Sequence, residues 1–144
     1  MAVFAGQSRE ELRRAYLDAW RRARSGALLT PLESQIATVV EEHPEYHPWL
    51  ERGEASVAEE FDPALGRGNP FLHLGMHLAI REQVATDRPA GIRALHAALA
   101  ISAGGALGAE HRMMEALGET LWEAQRAGRA PDEQAYLERL KRLR

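Results

Sequence analysis

The sequence predicts an all-α protein, an antiparallel bundle of five to six helices folded as one domain over residues 1–144. Three observations carry that expectation. Apolar residues recur at helical rather than alternating spacing, capping signals precede most of the periodic stretches, and no run of β-branched and aromatic residues bounded by turns suggests a strand. At 144 residues, with 45% hydrophobic and 27% charged side chains, the chain is long enough to close a single core and too apolar for disorder. Short connections between helices favour antiparallel neighbours.

The first helix is expected from Ser8 to about Arg24. Ser8 and Glu11 have the spacing of a capping box, and Leu12, Tyr16, Ala19, Trp20 and Ala23 share a face. Its outer face holds Arg9, Arg13, Arg14, Arg21, Arg22 and Arg24 against Glu10, Glu11 and Asp18. Such a face is ordinarily solvated, although it could also dock an anionic protein partner. Ser25-Gly26 ends this helix. Thr30-Pro31-Leu32-Glu33 opens the second with another capping box and a proline at the first helical position, and capping suffices to explain Glu33.

His43-Pro44-Glu45-Tyr46-His47-Pro48 spaces two histidines four apart, but each precedes proline and is biased away from helical angles. The stretch therefore reads as a helix end followed by an aromatic-rich turn. From Glu51 to Gly68 the chain is acidic, then glycine-containing, with turn signals at Asp62-Pro63 and Gly66-Arg67-Gly68. It is the one long connection, and it reads as a loop or a lid.

A third helix is expected from Pro70 to about Ala85, with Asn69 as its cap and Pro70 at its first position. It is apolar nearly all round, which suits the middle of a bundle, and it carries His73 and His77. Residues four apart on a helix differ by only about 40° in direction, so both rings point the same way. Thr86-Asp87-Arg88-Pro89 leads into an alanine-rich helix with Ile92, Leu95 and Leu99 on one face. Gly104, Gly105 and Gly108 end that helix. The next is expected from about Ala109 to Ala127, with Met114, Leu117, Leu121 and Trp122 as core candidates and a stripe containing His111 and Glu115. Gly128 caps it, and Tyr136, Leu137, Leu140 and Leu143 mark a short C-terminal helix.

Composition narrows the chemistry. The chain has no cysteine, which excludes disulfides, iron–sulfur clusters, thiolate nucleophiles and cysteine-rich zinc sites. A formal charge of −3, with Lys141 the single lysine among 18 basic residues, gives no basic field for nucleic acid. Met1 to Gln7 is too short and uncharged for a signal peptide, and no apolar run approaches the roughly 20 residues of a membrane span. A soluble, cytoplasmic protein is expected. No phosphate-binding glycine loop, G-x-S-x-G turn, HExxH motif or Glu-x-x-His motif occurs.

If neighbouring helices alternate in direction, His43, His47, His73 and His111 cluster at one end of the bundle, with His77 and Glu115 one turn deeper. Neutral imidazole and carboxylate suit Zn, Fe, Mn or Ni at about 2.0–2.2 Å. The expected site is mononuclear, built from His73, His77, His111 and Glu115 with His43 or His47 adding a ligand. Such an ion could activate water, so an enzyme is possible without a named reaction. The alternative is a non-enzymatic interaction module whose interior histidines bond backbone carbonyls, Tyr46 or Glu115 and fix helix register.

Several segments together also resemble an uncharacterised bacterial family, number 1841 among the domains of unknown function. They are Leu29-Thr30-Pro31-Leu32-Glu33, His43-Pro44-Glu45-Tyr46-His47, Asn69-Pro70-Phe71-Leu72-His73 with His77, Glu82-Gln83, Pro89 with Gly91-Ile92, and Glu110-His111-Arg112-Met113-Met114-Glu115. The resemblance covers roughly Leu12 to Leu140 and implies no established activity or ligand. Pro48 and the Gly104–Gly108 turn are local departures. In architecture alone, the pattern also looks like the DinB-like metal bundles, where three histidines from two helices hold a divalent ion. Fold analogy of that kind does not transfer function.

Overall fold

In the computed structural model the described residues are 8–60 and 68–143. The turn signals at Asp62-Pro63 and Gly66-Arg67 and the stretch Met1 to Gln7 lie outside them. Among the described residues every regular element is helical: α1 (Arg9–Arg24), α2 (Pro31–Glu41), a 3-10 turn (Pro44–Tyr46), α3 (His47–Leu50), α4 (Glu54–Ala58), α5 (Pro70–Thr86), α6 (Ile92–Ser102), α7 (Ala106–Ala127) and α8 (Glu133–Lys141). The all-α expectation holds, with more helices than the five or six expected, because the additional ones are only four and five residues long. No single described helix is long and apolar enough to cross a membrane. The chain divides into two compact units, Met1–Leu78 and Ala79–Arg144, and the boundary falls inside α5.

In the first unit, the Ser8 hydroxyl accepts from the Glu11 amide and starts α1. Thr30 and Glu33 close a complete capping box on α2, where the Glu33 carboxylate accepts from the Thr30 amide at 2.8 Å. That backbone hydrogen bond, aided by Arg22, holds the Glu33 carboxyl below its ordinary value. The capping reading of Glu33 is the one observed. Helices α1 and α2 pack against one another around a core that includes Tyr16, Leu17, Trp20, Ile36, Val39, Val40, Leu50, Phe71 and Leu74.

The arginines of α1 are engaged within this unit. Arg9 pairs with Glu60, Arg14 with Glu54 and Arg24 with Glu51, at 3.1, 3.0 and 3.5 Å. Arg13 is buried and donates to the carbonyls of Val57 and Glu59, both at 2.8 Å. The acidic segment that reads as a loop thus forms α4 and lies along α1. Exposed ion pairs of this kind contribute little individually, so the buried contacts of Arg13, Ser56 and Val57 anchor the segment.

The second unit contains the C-terminal half of α5 and helices α6 to α8. Helix α7 packs on α6 and α8, burying Ile92, Leu95, Leu99, Met113, Leu117, Tyr136 and Leu140. Gly108 lies inside α7 rather than ending α6. A Cβ there would sit 2.4 Å from the Ala103 carbonyl oxygen, so glycine is required by close backbone approach and not as a helix stop. Trp122, expected in the core, is 56% exposed, and its ring lies under the Arg126 guanidinium.

Candidate metal centre

Three histidines of the first unit converge on one point. His73 and His77 lie one turn apart on α5, and regular helical spacing aims both rings in the same direction. His43 comes from just beyond the end of α2, where φ −125° and ψ 65° break the helix before Pro44, in keeping with the bias of a residue preceding proline. The three Nε2 atoms form a nearly equilateral triangle, with His43 to His77 at 3.1 Å and His73 at 3.2 Å from each of the others. His77 is fully buried, His43 is 2% exposed, and His73 is half-buried.

One member has its tautomer set by its surroundings. His43 Nδ1 lies 2.7 Å from the Val39 carbonyl oxygen; because a carbonyl only accepts, the ring proton sits on Nδ1 and Nε2 presents a lone pair to the triangle. Tyr46 walls this side. Its ring stacks on His43 at 5.6 Å and meets His73 edge-on at 5.9 Å. Burial, with Glu45 nearby, pushes the Tyr46 phenol above its ordinary value, so it stays protonated at neutral pH. Behind α5, Tyr16 approaches Gly75, where an added Cβ would lie 3.3 Å from the tyrosine hydroxyl; only a small residue fits between the two histidine turns.

Of the expected ligands, His47 turns away from this point. His47 takes helical angles despite Pro48, contrary to the expectation for a residue before proline, and begins α3. Its Nε2 lies 2.9 Å from the Val40 carbonyl and its ring packs on Trp20 at 4.9 Å, which commits it to the core. His111 and Glu115 belong to α7 in the second unit, where both are exposed. Next to His111, the buried Glu110 carboxylate accepts a two-point contact from Arg81, at 2.9 and 3.0 Å. Arg81 itself is four residues past His77 and so continues the His73–His77 stripe of α5. Sequence spacing exposes that Arg81 stripe position, whereas the partnership with Glu110 depends on tertiary packing.

The triangle has a definite chemical meaning. An imidazole nitrogen either donates or accepts, never both. In a closed ring of three such atoms at least one contact must therefore set donor against donor or lone pair against lone pair. A cation accepts all three lone pairs at once. An ion about 2.0–2.2 Å from each nitrogen holds the nitrogens about 2.8–3.1 Å apart in a facial octahedral set and about 3.3–3.6 Å apart in a tetrahedral one. The observed separations of 3.1 and 3.2 Å lie at the upper end of the octahedral range and just below the tetrahedral one, so the donor set is compatible with a first-row divalent ion.

Comparison with known proteins agrees with the resemblance read from the sequence motifs. The model of a domain of unknown function, DUF1841, matches residues 8–142, and the chain belongs to that family. No curated protein matches. No solved structure matches.

Proposed function

We propose that this member of the DUF1841 family is a metal-binding protein whose mononuclear divalent site is held by His43, His73 and His77. The observation that carries the reading is the Nε2 triangle, which hydrogen bonding alone leaves with one repulsive edge. This favours a metal centre over a purely structural histidine network, although His43 and His47 also bond backbone carbonyls as that alternative expects.

His111 is the proposed fourth ligand. Helix α5 is continuous from His77 to Arg81, and the Arg81–Glu110 contact puts the opening turns of α7 beside the turn of α5 that follows His77. His111 is the next residue along. His47 is left out of the set because its ring serves the core, and Glu115 because it is not among the side chains whose ligand atoms group together. Zn, Fe, Mn and Ni all suit nitrogen donors of this kind, and with three or four protein ligands the ion could hold and activate a small molecule or water.

Elemental analysis of untagged protein, purified without chelator or a nickel column, tests the reading together with the His73→Ala and His111→Ala variants. Near-stoichiometric metal in the parent, lost in His73→Ala and weakened in His111→Ala, is the expected result. Parent protein that stays metal-free after incubation with Zn, Fe, Mn and Ni would overturn it.

A further inference from the structure

We infer that the face formed by α1, α2 and the turn between them docks a second copy of this chain, each copy placing its Leu28 in a groove of the other. Leu28 is 92% exposed, more than any other large apolar side chain among the described residues. A single exposed leucine is ordinary, but this one is held in place. Its carbonyl accepts from Arg22 at 2.9 Å, Arg22 is itself paired with Glu33 at 3.1 Å, and the Ala27 amide donates to the Arg22 carbonyl at 3.0 Å. The turn that closes α1 is thereby braced on the helix, and a side chain presented from an ordered turn has less freedom to lose on docking.

The groove lies on the same face. Leu29, the next residue, lines an open groove of about 340 Å³ together with Ala23 of α1 and with Ala37 and Thr38 of α2. Thr38 donates its hydroxyl to the Ser34 carbonyl at 2.8 Å, which leaves its methyl to face a visitor. Arg24 and Glu41 supply charges of both signs to the same lining. Arg24 lies over the Trp20 ring at 4.5 Å, and its 3.5 Å contact with Glu51 is exposed on both sides, so its fork of five donors can meet a second carboxylate as well. Glu41 is exposed. A protruding leucine, an apolar groove and both charges on one face are what an isologous contact uses, because the same patch serves both copies and each receives what it offers. A twofold axis beside the turn would set Leu28 into the opposite groove and Arg24 against Glu41 of the second copy. That self-complementarity selects a second copy over an unrelated partner.

Sedimentation velocity of the full chain provides the test. Two small reciprocal contacts make an interface of the weak, reversible class, so dimer is expected to grow in between about 5 and 500 µM, the range of a micromolar dissociation constant. Leu28→Asp is expected to weaken association at least about tenfold. Its far-UV circular dichroism should match the parent, because so exposed a side chain touches little of its own copy. Glu41→Arg should weaken association as well, and adding Arg24→Glu should recover most of that loss, since opposite charges then face one another again. Parent protein that stays monomeric across the range overturns the inference and leaves the groove to a different protein. A dimer that persists undiminished in Leu28→Asp overturns it too, because another face would then hold the copies together.

Discussion

Two histidine pairs at the same spacing meet different fates. His73 and His77 sit on the uninterrupted helix α5, so a four-residue interval delivers both rings to one point. His43 and His47 straddle a helix end and a 3-10 turn, and the same interval sends one ring to that point and the other into the core against Trp20. Spacing therefore predicts convergence only where the backbone between the residues is one regular helix. Outside a helix, the anchor of the second ring nitrogen decides: the Val39 carbonyl turns His43 Nε2 outward to the triangle, while the Val40 carbonyl takes His47 Nε2 itself.

The sharpest way to break this comparison is to exchange the members of the second pair. His43→Ala is expected to lower metal affinity by at least about 100-fold, since it removes a ligand outright, whereas His47→Ala should change it by less than about threefold. Isothermal titration with Zn would show the two variants far apart. Equal losses would mean that the His43–His47 segment acts as a unit and that anchoring does not separate its members.

A second measurement turns on the odd ring. His77 is fully buried, and His77→Leu keeps comparable bulk while deleting one corner. In the presence of metal at about 100-fold over its dissociation constant, the parent gains about 2.7 kcal/mol, or about 5–10 °C in Tm for a chain of this size. The variant should show no such gain. In chelator the order should close or invert, because the substitution relieves the unsatisfiable contact. A variant that is much less stable than the parent in chelator would show instead that the metal-free triangle is a favourable network.

A smaller effect belongs to His47 alone. Losing its hydrogen bond to Val40 and its packing on Trp20 should cost about 1–2 kcal/mol in urea unfolding, with metal uptake retained. No stability loss would contradict a core role for this ring.

These contrasts also mark what the sequence made legible. Caps at Ser8 and Thr30, the proline at position 70 and the His73–His77 pair are local signals, and each appears as expected because its physics lies within a few residues. The sequence gives no sign of α3 and α4 because four or five residues carry no periodicity, and α4 is held by a distant arginine: Arg13 binds the Val57 carbonyl within it and the Glu59 carbonyl just after it. Gly108 reads as a helix stop for a related reason. A glycine required by a neighbouring backbone looks the same in sequence as one that stops a helix. His43 reads as a weaker ligand candidate than His111 because proline removes the helical geometry from which ligand spacing is judged, and the Val39 carbonyl that orients its ring is visible only in three dimensions.

Gly75 offers the finest test of the regular pair, since it lies on α5 midway between His73 and His77. Replacing glycine by alanine inside a helix is favourable by up to about 1 kcal/mol. Here the new methyl would meet the Tyr16 hydroxyl at 3.3 Å, tighter than ordinary van der Waals contact. The buried tyrosine ring, 3% exposed and packed at 5.8 Å from Phe71, has little room to withdraw. The two effects oppose each other, and Gly75→Ala is expected to change unfolding free energy by less than about 0.5 kcal/mol while leaving the histidine geometry and metal affinity as they are. A gain approaching the full helix-propensity value would show that Tyr16 yields freely. A loss of metal affinity without a loss of stability would show that α5 shifts against α1 instead, and that the convergence of His73 and His77 on His43 depends on this one close approach.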